Sequence, residues 1–151
     1  MPIEAGKGYS LTIPHPPVSL KTPMIFAESR VAVTPMGRAL RFGGTMEFSG
    51  INSQIRPERI QQIKDAAQLY FPDFPTDAFD GVEPWSGLRP VSPDGLPYIG
   101  RFGKTTNLIA AAGHAMLGLT MAPITGSLVA DIVAERPPSV SLDRLDPDRF
   151  G

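Results

Sequence analysis

The stretch "AAAGHAMLGLTMAPITG", residues 110–126, carries no formally charged side chain, and its glycines and proline are spaced wrongly for an ordinary buried helix. The pattern predicts a short buried strand at 107–112. After a glycine-rich turn it predicts a helix that buries Met121, Ile124, Leu128 and Ile132 and ends before Pro137. Thr120 is expected to cap that helix and Pro123 to fall in its first turn. An open helix N-terminus offers backbone donors and partial positive charge to an oxygen or nitrogen that gains negative charge. Gly113 and Gly118 would let a flat ligand approach the backbone. A tight strand-to-helix connection with no ligand satisfies the same spacing. His114 is tempting as a base, yet a histidine beside glycine more often braces a loop, so contact is favoured over catalysis.

Other chemistries fit less well. "GHAMLG" has the two glycines of a phosphate loop, but Leu119-Thr120 stands where Lys-Ser/Thr must follow. No G-x-G-x-x-G occurs, since "GKGYSL" lacks the third glycine, so the chain has no dinucleotide fingerprint of its own. With no cysteine and two histidines, thiolate chemistry and disulfides are excluded and a metal site is not expected. A net charge of −1 without a basic cluster leaves no footprint for nucleic acid. No Asp, Glu, Lys or Arg occurs from 105 to 130, long enough for a bilayer, but glycines, His114, Pro123 and hydroxyls interrupt the run, and a membrane span is not expected. "MPIEAGKGYS" shows no apolar leader, which leaves a cytoplasmic location as the expectation.

The elements that must position these residues are legible in outline. The length suits one ordinary domain, and seventeen prolines and fifteen glycines make it rich in turns without low complexity. "YSLTI", "MIFAE", "VAVTP" and "ALRFGGTMEF" read as successive strands, and the alternation from Arg38 to Phe42 gives their sheet one wet face. A helix starting at Pro57 carries Ile60, Ile63, Ala67, Tyr70 and Phe71 at helical spacing and stops at Pro72. The stretch from Phe71 to Gly100 reads as a long, turn-rich and therefore functional loop with little regular structure.

Trp85-Ser86-Gly87-Leu88-Arg89-Pro90, then "PDGLPYIG" at 93–100, Asn107-Leu108, Gly113-His114, Gly118, Ala122-Pro123, Gly126 and "LVAD" at 128–131 resemble the C-terminal part of FAD-dependent amine oxidoreductases. That family holds the D-amino-acid oxidases, the glycine oxidases and the small subunit of bacterial D-amino-acid dehydrogenase, and the last is the most similar. "GKGYSLTI", "RVAVTP" and "FGGTMEF" resemble its substrate domain more weakly. The resemblance implies that Arg89 pairs with the substrate carboxylate, a role that suits a planar, bidentate guanidinium. It also implies that Gly113, His114, Ala115, Met116, Leu117, Gly118, Leu119 and Thr120 line the flavin ring of FAD. Met116 stands where some glycine oxidases place a second arginine, so a two-arginine clamp is not expected.

The fold class implied is α+β: a mostly antiparallel sheet with an amphipathic helix, as in the D-amino-acid oxidase substrate domain, plus a C-terminal strand, turn and helix. Residues 1–104 would form the substrate or cap domain, and 105–151 would complete the FAD-binding domain. The reaction implied is oxidation of a D-amino acid to a 2-oxo acid through an imino acid, with no catalytic acid–base side chain needed if the amine binds unprotonated. The family's N-terminal nucleotide-binding part has no counterpart here. The expectations are therefore a fragment inactive alone that does not retain FAD, or half of a split oxidase whose partner chain supplies the missing domain. A stand-alone β-rich binding module is the third. A homodimer and, as a second location, the inner face of the membrane complete the set.

Overall fold

The computed structural model describes residues 1–151 with the exception of the Thr106 side chain. Among the described residues the strands are β1 (Glu4–Ile13), β2 (Met24–Phe26), β3 (Val31–Met36), β4 (Ala39–Phe48), β5 (Trp85–Val91), β6 (Tyr98–Phe102) and β7 (Thr105–Ala112). The helices are α1 (Pro57–Tyr70) and α2 (Gly118–Val133), followed by a 3-10 turn at Asp143–Leu145. One sheet runs β2-β3-β4-β1-β5, and β6 and β7 form a separate antiparallel pair. The chain divides into two compact units, Lys7–Leu88 and Met1–Gly6 with Arg89–Gly151; β1 and β5 each cross that boundary.

In the unit Lys7–Leu88, Val31 pairs with Gly44 and Val33 with Phe42 across β3 and β4. Leu40 and Phe42 are buried while Ala39 and Arg41 stay half-buried, as the alternation predicts. Phe42 and Glu47 lie five residues apart and are both buried, so the strict two-residue period is broken between them. Thr45, between them, lies in the left-handed region at φ 59°. Pro57 opens α1, and Ile63, Ala66 and Ala67 face the sheet core with Ile60 and Tyr70 beside them. Phe74 and Phe79 meet Phe42 edge-on at 5.6 and 5.3 Å, which anchors the segment after Pro72.

A buried ion cluster fixes the approach to α1. Lys7 Nζ donates to Asn52 Oδ1 at 2.6 Å and to the Gln54 carbonyl at 2.8 Å, and lies 3.3 Å from Glu47 Oε1. Tyr9 donates to Glu47 Oε2 at 3.0 Å. Hydrogen bonding from Ser49, then from Tyr9 and Lys7, and the charge of Arg56 hold the Glu47 carboxyl at about 2 against the opposing effect of burial.

The unit containing Arg89–Gly151 departs from the sequence expectation in three places. Two strands, β5 and β6, occupy the stretch expected to lack regular structure. Pro90 sits inside β5, which is an edge strand of its sheet, where a missing N–H is tolerated. The strand expected to be buried at 107–112 is longer, Thr105–Ala112, and Leu108 is 48% exposed. Finally, α2 starts at Gly118, with Leu117 flanking it and no side-chain cap. Thr120 is therefore not the cap, and Pro123, inside the helix, cannot donate to the Leu119 carbonyl one turn back. The helix begins early because the chain has already turned at Gly113 and Ala115, with φ of 81° and 47°.

Candidate functional site

The predicted carboxylate ligand and the predicted flavin loop are 24 or more positions apart in sequence, yet one backbone seam joins their segments. The Ala115 N–H donates to the Pro90 carbonyl at 3.0 Å, and His114 bridges Val91 in antiparallel fashion. Arg89 directly precedes this seam and is half-buried. The loop is closed on its far side by the Leu117 N–H donating to the His114 carbonyl at 2.9 Å, and Met121 N–H to Leu117 at 2.8 Å begins the helical ladder.

Gly113 is required by the protein's own packing. Its φ is left-handed, and a Cβ there would stand 3.0 Å from Tyr98 Cδ2 and 3.4 Å from Cε2. Tyr98 is buried, and its hydroxyl donates to the Pro2 carbonyl at 2.7 Å. Gly118 differs. A Cβ there would meet His114 Cβ at 3.5 Å, ordinary van der Waals contact, so the chain itself leaves room for a side chain at that position.

The first turn of α2 has no side-chain cap and no acidic residue, and helix geometry leaves the N–H groups of Gly118, Leu119 and Thr120 without an intrahelical acceptor. Around them Met116, Leu117 and Leu119 are exposed, Leu119 to 91%. Backbone donors framed by apolar side chains, with a glycine whose missing Cβ leaves a cradle, suit a flat heteroaromatic ring with an electron-rich edge. On these features the residues present fit a flavin.

His114 is held from its side chain as well. Its Nε2 lies 3.0 Å from Oγ1 of Thr125, a buried residue of α2. Burial pushes the imidazole below its ordinary value, which favours the neutral ring. This geometry agrees with bracing. The apolar spacing predicts Ile124 on the buried stripe, but Ile124 is 40% exposed and Thr125 is buried in its place. The spacing 121, 125, 128, 132 is equally helical, so a hydroxyl on that stripe was the available signal.

Behind the site, Arg149 clasps the loop between β5 and β6. It pairs with both carboxylate oxygens of Asp94 at 2.9 Å, donates to the Leu96 carbonyl at 2.7 Å, and stacks 3.9 Å from the Tyr98 ring centre. That guanidinium holds the Asp94 carboxyl well below the usual carboxylate range. No helix of the described residues is long and apolar enough to cross a membrane.

The family described as FAD dependent oxidoreductase matches residues 1–132. A D-amino acid dehydrogenase of Paramagnetospirillum magneticum is 40% identical over 156 residues, which cover 99% of this chain and 35% of that protein. The crystal structure of glycine oxidase from Geobacillus kaustophilus superposes with a TM-score of 0.82 at 27% identity, covering 99% of this chain and 40% of that one. L-proline dehydrogenase from P. horikoshii has the same fold, with a TM-score of 0.83 at 21% identity over 99% of this chain and 40% of its own. The chain thus spans about a third of the length of the curated relative it matches.

Proposed function

The chain belongs to the FAD-dependent oxidoreductase family, and we propose that it is the substrate-facing and flavin-facing part of an enzyme that oxidises D-amino acids to 2-oxo acids. The observation that carries this reading is the seam of Pro90 and Val91 with His114 and Ala115, which brings the strand bearing Arg89 beside the loop at 113–120. The 40% identity to a D-amino acid dehydrogenase supports the substrate class.

In this reading the Arg89 guanidinium takes the substrate carboxylate through two parallel hydrogen bonds and so orients the Cα–H. Residues 113–120 hold the ring: Gly113 and Ala115 shape the turn, His114 braces it, and Gly118 admits the ring edge. The N–H groups of Gly118, Leu119 and Thr120 lend positive potential to that edge, while Met116 and Leu117 exclude water. Flavin, when bound, supplies the hydride acceptor. The His114 imidazole, engaged with Thr125, is left out of proton transfer.

Residues 1–104 then act as substrate cap and 105–151 complete the FAD-binding domain, whose nucleotide-binding part comes from further sequence or a partner chain. Alone, the chain is inactive and does not retain FAD, and the exposed apolar residues of the loop and α2 favour a homodimer. A cytoplasmic enzyme, free or held at the inner face of the membrane, belongs to the same reading.

The test joins this chain to the N-terminal portion of a D-amino acid dehydrogenase. The joined protein is expected to hold flavin and to be reduced by D- but not L-amino acids, and the chain alone is expected to be colourless. Flavin that is retained but inert to every D-amino acid overturns the substrate assignment. A stoichiometric flavin spectrum from the dialysed chain alone overturns its dependence on a partner.

A further inference from the structure

A threonine is a costly choice in the middle of α2. It is β-branched, and its buried hydroxyl loses water unless a partner replaces it. At position 125 that partner is His114 Nε2, 3.0 Å away. A neutral imidazole can serve as donor or acceptor in this pair. His114 is also fixed by its main chain, through the bridge to Val91 and the Leu117 N–H on its carbonyl, and Ala115 is tied to Pro90. The left-handed turn at Ala115 makes a joint between the strand seam and α2. The His114–Thr125 pair spans that joint, tying the strand side to the body of the helix.

Resting on the function proposed above, we propose that Thr125 is a positioning residue. Acting through His114, its hydroxyl sets the angle between the loop at 113–120 and the strand end that carries Arg89. It thereby governs the alignment of substrate with flavin and not the affinity for either.

Thr125→Val removes the hydroxyl at nearly constant shape, and Thr125→Ser restores it. In the joined enzyme, Thr125→Val is expected to slow flavin reduction at saturating D-amino acid by about tenfold or more, as small misplacements do. KM and flavin retention should stay within about twofold, because uniform binding is untouched. Thr125→Ser is expected to recover most of the rate. In the 151-residue chain, amide exchange at Ala115 and Leu117 should quicken in Thr125→Val, with the β6–β7 ladder from Tyr98 to Ala112 unchanged. An unchanged reduction rate in Thr125→Val overturns the proposal. So does equal loss of protection across the ladder, which marks plain destabilisation, or a failure of serine to rescue. If the joined wild-type enzyme holds flavin yet oxidises no D-amino acid, the alignment role falls with the function, and the exchange measurement still decides whether the pair braces the joint.

Discussion

Two glycines of the loop should respond to alanine in opposite ways. At Gly113 the backbone is left-handed, φ 81°, which disfavours an L side chain by about 1–2 kcal/mol. The new methyl would also stand 3.0 Å from Tyr98 Cδ2. Tyr98 cannot give way easily, since its hydroxyl is bonded to Pro2 and the Arg149 guanidinium lies over its ring. Overpacking of this kind costs about 1–3 kcal/mol, and the lower entropy of the unfolded alanine chain returns about 0.4–1 kcal/mol. Gly113→Ala should therefore lose about 1–4.5 kcal/mol. At Gly118 the backbone is helical and the methyl meets only His114 Cβ at 3.5 Å. Gly118→Ala should gain about 0.5 kcal/mol from helix propensity and unfolded-state entropy. Urea unfolding of the chain followed by circular dichroism measures both. In the joined enzyme Gly118→Ala should weaken flavin retention while the protein remains stable. Wild-type stability in Gly113→Ala would refute the packing argument, and undiminished flavin retention in Gly118→Ala would refute the cradle.

In the joined enzyme Arg89→Lys should lower kcat/KM for a D-amino acid by about tenfold to a hundredfold with flavin content preserved, since a point charge keeps attraction and loses the bidentate geometry; unchanged kinetics would reduce Arg89 to a loop brace. Glu47 has a depressed folded value of about 2, so its contribution to stability is complete above the ordinary carboxylate value of 4.5 and is lost as pH falls toward 2. Acid unfolding should accordingly begin below pH 4.5 in the unit Lys7–Leu88, and Glu47→Gln should flatten that dependence in a thermal scan against pH. Arg149→Met should lower the melting temperature and expose the 92–97 amides to exchange, because the clasp on Asp94, Leu96 and Pro97 is removed.

The fold is legible in the sequence where burial alone decides the pattern. Leu40 and Phe42 alternate with half-buried neighbours, and Ile63 and Ala67 share a helical stripe over that sheet. It is not legible where the backbone depends on something outside the local window. Pro90 argued for a loop, yet it sits in an edge strand and uses only its carbonyl, which the Ala115 N–H reaches from far along the chain. Thr120 and Pro123 marked a later start for α2, but the left-handed turns at Gly113 and Ala115 had already aimed the chain into the helix. Ala115 gives no sign of that conformation in its residue type, since it is glycine that normally announces it.

The apolar pattern predicts Leu108 and Ile124 as core residues, and both are exposed. On the proposed reading they are covered by the nucleotide-binding part of a longer enzyme, and the periodicity that placed them inside describes that assembly. Arg89 and the loop at 113–120 both belong to the unit formed with Arg89–Gly151, and their segments are joined by backbone hydrogen bonds within it. On the proposed reading, the alignment of Arg89 with the loop at 113–120 is set inside this chain. On the same reading the nucleotide-binding part governs whether flavin is retained, and exchanging it for that of another relative in the joined enzyme should change flavin affinity before it changes the preference for substrate.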